Sequence, residues 1–289
     1  MTATSVLSRR PLMNNPGYNQ RVLASVGTCP NCGGTGFTIE HRDGVEVAVR
    51  CACRSHRRAD ALLAAARVPP RYQHCTVEGF EIWNPDDPTL RQAKNRTREF
   101  IDCYPKVEKG LLYMGNVGTG KTHLAVAALK ELVATKGAPG LYANFLELVQ
   151  QLQMSFDGGG ASREEILAPV TEADVLVLDE LGAGRLTEWV RDLLYYVINS
   201  RYMANRVTIF TTNYLDSPQP PRGAARGGDG AGGYRGTSGE AVGGDRWQET
   251  LADRISERLR SRLHEMCDVV KLYGEDYRAR PNQRLGRRS

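Results

Sequence analysis

The stretch GLLYMGNVGTGKTHL, residues 110–124, decides how the rest of the chain is read. Its first six residues form an apolar run of strand length, and from Lys121 onward the pattern becomes helical. Between these runs, Gly115, Asn116, Val117, Gly118, Thr119, Gly120, Lys121 and Thr122 fit G-x-x-x-x-G-K-[ST], with His123 following. Glycines allow successive backbone N–H groups to converge on phosphate oxygens, and the start of a helix adds partial positive charge. Lys121 is then placed to reach the β- and γ-phosphates of a nucleotide, and the Thr122 hydroxyl to ligate Mg²⁺.

Outward from this loop, apolar runs alternate with helical patterns, which predicts an α/β fold with a mainly parallel sheet of about five strands. Strands are expected at 110–115, 140–145, 174–180, 207–213 and 268–273, with helices at about 121–136, 145–156, 186–204 and 248–266. VLVLDE at 175–180 ends in two acids some 57 residues after the loop. A buried parallel strand would deliver Asp179 beside the nucleotide's magnesium and leave Glu180 to orient or deprotonate an attacking water. Asn213, ending FTTN, is a further candidate for that water or the γ-phosphate. In ADRISERLRSRLHEM at 252–266, Arg254, Arg258 and Arg262 are spaced i, i+4, i+8, so one face of one helix is expected to carry all three. Such a face is either solvated or an arginine finger for a neighbouring subunit.

Four cysteines, Cys29, Cys32, Cys51 and Cys53, fall within 25 residues at the other end of the chain. Two knuckles of thiolates can surround Zn²⁺ tetrahedrally, and a segment so poor in large apolar residues needs such a staple. The second knuckle is one residue short of C-x₂-C, which leaves His56 as a possible replacement ligand. Between the knuckles, Val45, Val47 and Val49 alternate as in a small β-ribbon, and ADALLAAAR at 59–67 reads as a short helix stopped by Pro69 and Pro70.

The domain organisation expected is a flexible tail at 1–24, a zinc-binding module at 25–60, a linker with helices at 61–104, the ATPase domain at 105–280 and a basic tail at 281–289. Within 217–246, three prolines precede ten glycines, which predicts a disordered insertion. Over all 289 residues, 41% hydrophobic and 25% charged content argues against wholesale disorder and fibrous architecture. The net charge of +5 is unevenly spread: residues 1–75 carry ten arginines against four acids, and 246–289 eleven bases against seven. Basic flanks around an acidic middle suit non-specific contact with nucleic-acid phosphates. No apolar run is long enough to cross a bilayer and no signal peptide is evident, so the expected location is cytoplasmic, without a membrane partner.

GNVGTGKTHLAVA, VLVLDELG, TIFTTN and SERLRSRLHEMCDVVKLYGEDYR together resemble the AAA+ ATPases of the DnaC/DnaI helicase-loader and IstB-like group, over about residues 67–280. The resemblance implies an ATPase with Walker A at 115–122, Walker B at 175–180, a sensor asparagine at Asn213 and a finger at Arg262, with Arg258 next. It also implies that the segment at about 146–170 helps contact single-stranded DNA, and that subunits associate through the ATP site. ATP, Mg²⁺ and Zn²⁺ are the expected cofactors, and a replicative hexameric helicase or a transposase the expected partner. A helicase loader is the leading reading and an IstB-like transposition helper the alternative, with a small-molecule phosphotransferase or a simple DNA-binding module behind them.

Overall fold

The computed structural model describes residues 29–156, 160–217 and 249–279. The expected tails at 1–24 and 281–289, and all of the glycine-rich segment beyond Ser217, lie outside the described residues. The chain divides into two compact units, one ending at Arg57 and the other starting at Arg58.

In the first unit, β1 (Phe37–Arg42) and β2 (Val45–Arg50) pair antiparallel around a two-residue turn. Asp43 and Gly44 both have positive φ, 48° and 78°, the backbone a tight hairpin requires. The ribbon buries almost nothing: Phe37, Ile39, Val45 and Val47 are all exposed, and among the described residues of this unit only Gly36 and Cys51 are buried. The short helix expected at 59–67 starts earlier, because α1 (Cys53–Ala65) grows directly out of the second cysteine knuckle.

The second unit is built on a parallel sheet of five strands: β3 (Gly110–Gly115), β4 (Gly140–Asn144), β5 (Val175–Asp179), β6 (Val207–Thr212) and β7 (Cys267–Leu272). Their spatial order is β4-β5-β6-β3-β7, and every neighbouring pair is parallel. Both faces are covered, which explains why the strands read as unbroken apolar runs. Leu111, Tyr113, Val175, Val177 and Ile209 point into one core, packed against α2 (Pro88–Cys103) and α3 (Lys121–Glu131). Leu112, Met114, Leu176, Leu178 and Phe210 point into the other, against α4 (Phe145–Phe156), α5 (Arg163–Glu172), α6 (Glu188–Met203), α7 (Leu251–Ile255) and α8 (Glu257–Met266).

Local chemistry sets the helix boundaries. Asp87 caps α2, its Oδ1 accepting from Thr89 N at 2.8 Å, and Pro88 fills the first turn where no N–H is needed. Ser162 with Glu165 and Thr250 with Asp253 form capping boxes at α5 and α7. The helix expected at 121–136 is α3 followed by a π-turn over Leu132–Lys136, closed by Gly137 at φ 65°.

The expected helix at 248–266 is two helices. Ser256, at φ 87°, ends α7 and caps α8, its Oγ accepting from Leu259 N at 3.5 Å. Serine hydroxyls compete for backbone hydrogen bonds, so a serine can break a pattern whose apolar and basic spacing runs on past it.

Candidate functional site

β3, β6 and β5 lie next to one another, and the loops that leave them converge at one edge of the sheet. The turn after β3 depends on glycine where the backbone turns left-handed, at Gly118 (φ 79°) and Gly120 (φ 95°). A Cβ on Gly120 would stand 2.6 Å from the Phe80 ring, and one on Gly118 would stand 1.8 Å from Asp276 Oδ1. Lys121 opens α3 and is only 6% exposed. Its Nζ donates to Gly115 O at 3.0 Å and Asn116 O at 2.5 Å, which leaves one of three ammonium donors for a ligand. Burial draws its pKa down to about 8, opposed by the nearby Asp179 carboxylate.

Asp179, at the end of β5, is buried and accepts three hydrogen bonds. Its Oδ1 accepts from Thr122 Oγ1 at 2.8 Å and from Thr211 Oγ1 at 2.5 Å, and its Oδ2 accepts from Tyr142 OH at 2.8 Å. Neighbouring oxygen ligands of octahedral Mg²⁺ stand about 2.9 Å apart, given bonds near 2.05 Å, so the Thr122–Asp179 pair fits that ion. The next residue, Glu180, takes φ 60°, a left-handed turn that costs a side-chain-bearing residue about 1–2 kcal/mol. The turn sends its carboxylate outward while Asp179 stays buried. Thr211 Oγ1 accepts from Glu180 N at 3.0 Å, and Asn144 Nδ2 donates to Glu180 Oε2 at 3.1 Å.

Other expected residues take different positions. Asn213 is exposed just past β6 and makes none of these contacts; the hydroxyl that reaches Asp179 and Glu180 is two residues earlier, on Thr211. His123 turns its ring away to donate from Nε2 to Thr76 O at 2.8 Å, and burial holds its pKa down. The break at Ser256 separates the three arginines. Arg254, on α7, stacks on Tyr214 and donates to Gly182 O at 2.9–3.0 Å. Arg258 and Arg262, on α8, both stack on Tyr195, and Arg262 also on Tyr202.

In the first unit, the sulfurs of Cys29, Cys32, Cys51 and Cys53 all lie within 4.8 Å of one another. Cys29 and Cys51 are 3.8 Å apart, and Cys32 and Cys53 3.4 Å. Four thiolates at 2.3 Å from one zinc would stand about 3.8 Å apart, so the donor set and spacing fit that ion. His56, on α1, is not part of the group. Crowding drives the Cys53 thiol up to about 12, chiefly through its contact with Cys32, so without a cation the four do not ionise together.

A family model described as IstB-like ATP binding protein matches residues 38–216. The chain belongs to that family. This IstB-like protein is 28% identical over 214 residues to the phage-like element PBSX protein XkdC of Bacillus subtilis (strain 168), covering 71% of this chain and 77% of XkdC. It is 24% identical over 146 residues to the replicative helicase loader DnaC of Escherichia coli (strain K12), covering 50% of this chain and 58% of that DnaC. It therefore spans little more than half the length of that relative. A crystal structure of the DnaC helicase loader superimposes with a TM-score of 0.53 and 31% identity, covering 71% of this chain and 99% of that one. These likenesses set the IstB-like chain within the broader DnaC/DnaI/IstB group of AAA+ proteins. Among the described residues, no helix is long and apolar enough to cross a membrane.

The sequence did not point to Tyr142, Asn144 and Thr211, which hold the two acids of this IstB-like site. Nor did it point to the segment after β7, where Tyr277 N donates to Gly118 O at 3.1 Å. A polar residue at the carboxyl end of a strand was the available signal, and it became specific only once the strand order was known.

Proposed function

We propose that this chain is an ATP-dependent replicative helicase loader. The single observation that carries the ATPase reading is the 2.8 Å contact between Thr122 Oγ1 and Asp179 Oδ1, which joins the two halves of a magnesium-nucleotide site. The 31% identity to a DnaC helicase loader over 99% of that structure supports the class of partner.

In this reading, the backbone N–H groups around Gly118 to Thr122 and the remaining donor of Lys121 bind the nucleotide phosphates. Thr122 and Asp179 would hold Mg²⁺, which supplies charge neutralisation at the phosphates. Glu180, steadied by Asn144, orients the attacking water, and Asn213, exposed just past β6, is assigned to the γ-phosphate. Arg262, with Arg258 next, acts on the nucleotide of a neighbouring subunit, so ATP links assembly to a grip on single-stranded DNA. The four cysteines hold a structural Zn²⁺ with no open position, in a module that addresses the helicase in the cytoplasm.

The family description favours a second reading, a transposition helper acting with a transposase on the same ATPase site. A pulldown from the source cells with and without ATP separates the two. Capture of a hexameric replicative helicase is the expected outcome, and capture of an integrase-type transposase in its place reverses the assignment.

A further inference from the structure

Beyond the nucleotide site and the four-cysteine cluster, a second set of soft donors stands beside the first turn of α3. His74, Cys75 and His123 bring one donor atom each within 4.8 Å of one another. Cys75 is 2% exposed and His74 is at the surface, so the group leads from the interior to solvent. Cys75 Sγ is 3.9 Å from His74 Nε2, and the rings of His74 and His123 meet edge to face with centroids 6.2 Å apart.

Two features distinguish this group from a chance meeting of side chains. The first is rigidity. Lys130 Nζ donates to the carbonyls of Gln73 and Cys75, and Lys94 Nζ to those of Glu78 and Phe80 at 3.0 Å each. The segment that carries His74 and Cys75 is thereby pinned, so little ordering is left for a ligand to impose. The second is the His123 tautomer. A carbonyl oxygen only accepts, so the 2.8 Å contact with Thr76 O fixes the proton on Nε2 and leaves the lone pair of the neutral ring on Nδ1. With Nδ1 as its donor, His123 would be oriented as metal-ligating histidines are, by a second ring N–H held on a backbone carbonyl.

We propose that His74, Cys75 and His123 form a binding site for a borderline divalent transition ion, zinc foremost, with three protein donors and a fourth position open to water. Two imidazoles and a thiolate suit zinc and reject magnesium, so this ion does not compete for Thr122 and Asp179. Binding replaces the S–H bond of Cys75 with a sulfur–metal bond and releases one proton to solvent. Because His123 directly follows Thr122, the bound ion ties residues 74 and 75 to the start of the helix that carries the phosphate-loop lysine.

The test counts metal on the full chain. Protein stripped by a chelator is titrated with Zn²⁺, dialysed at micromolar free zinc and assayed for bound metal. The unaltered chain is expected to hold one more equivalent than His74→Ala, while His74→Cys, which restores a soft donor at an exposed position, keeps that equivalent. The same one-equivalent difference is expected in a Cys32→Ser background, where the four-cysteine cluster is crippled. Equal stoichiometry in the unaltered chain and His74→Ala overturns the site, as does loss of the equivalent in His74→Cys.

Discussion

In the ribbon of the first unit, Val45 and Val47 stand 63% and 38% exposed, whereas Val175 and Val177 of β5 are wholly buried. Both stretches are strands rich in valine, yet only the second contributes to a core. The sheet of the second unit is stabilised on both faces by apolar packing and can therefore hold functional groups at its edge with sub-ångström constraint. The ribbon has no such packing, and in the segments that flank it four sulfurs converge. A fold held by side-chain burial survives loss of one contact, while a fold held by one ion does not.

The largest expected effect tests that contrast directly. With zinc on the four cysteines as proposed, treatment with a chelator, or Cys51→Ser, should abolish slowly exchanging amides in β1 and β2 and leave β3 to β7 protected, as read by hydrogen exchange. A structural zinc contributes about 10–16 kcal/mol, enough to decide whether a small module folds. Retained protection in the ribbon would mean that something other than the metal organises it.

Glu180→Gln comes next. Turnover is expected to fall by about 10²- to 10⁴-fold with nucleotide affinity unchanged, measured by phosphate release and by binding of a fluorescent analogue. Unaltered turnover would remove Glu180 from its role. Thr211→Val deletes the hydroxyl that donates to Asp179 and accepts from Glu180 N, and should cost about 1–3 kcal/mol in thermal or denaturant unfolding of the second unit.

The smallest effect concerns pH. The Lys121 pKa is drawn down to about 8 by burial, so from about pH 8 to the ordinary lysine range the unfolded chain holds more protons and stability rises with pH. Nucleotide affinity should move the opposite way, because phosphates need the ammonium. A fall of about tenfold from pH 7 to pH 9 is expected by calorimetry. Flat affinity over that window would place Lys121 outside the binding step.

Much of this was legible in the sequence, for reasons that differ by element. The glycine spacing before Lys121 and the unbroken apolar runs of β3 and β5 report local geometry and burial on both faces, and both are properties of contiguous residues. Tyr142, Asn144 and Thr211 were not legible, because their approach to Asp179 and Glu180 depends on β4, β5 and β6 being neighbours in space. The split at Ser256 was hidden because the spacing of Arg254, Arg258 and Arg262 continues across it. His74 and Cys75 meet His123 from 48 or more positions away, a distance at which no local pattern operates.

Asp276, paired with Arg278 at 3.0 Å, sets its carboxylate where a side chain on Gly118 would stand. In the proposed nucleotide site, a triphosphate would approach this carboxylate, whose charge is offset by its pairing with Arg278. Because Tyr277 N also donates to Gly118 O, the stretch after β7 shares contacts with the phosphate loop, and a substitution in either would be felt by the other.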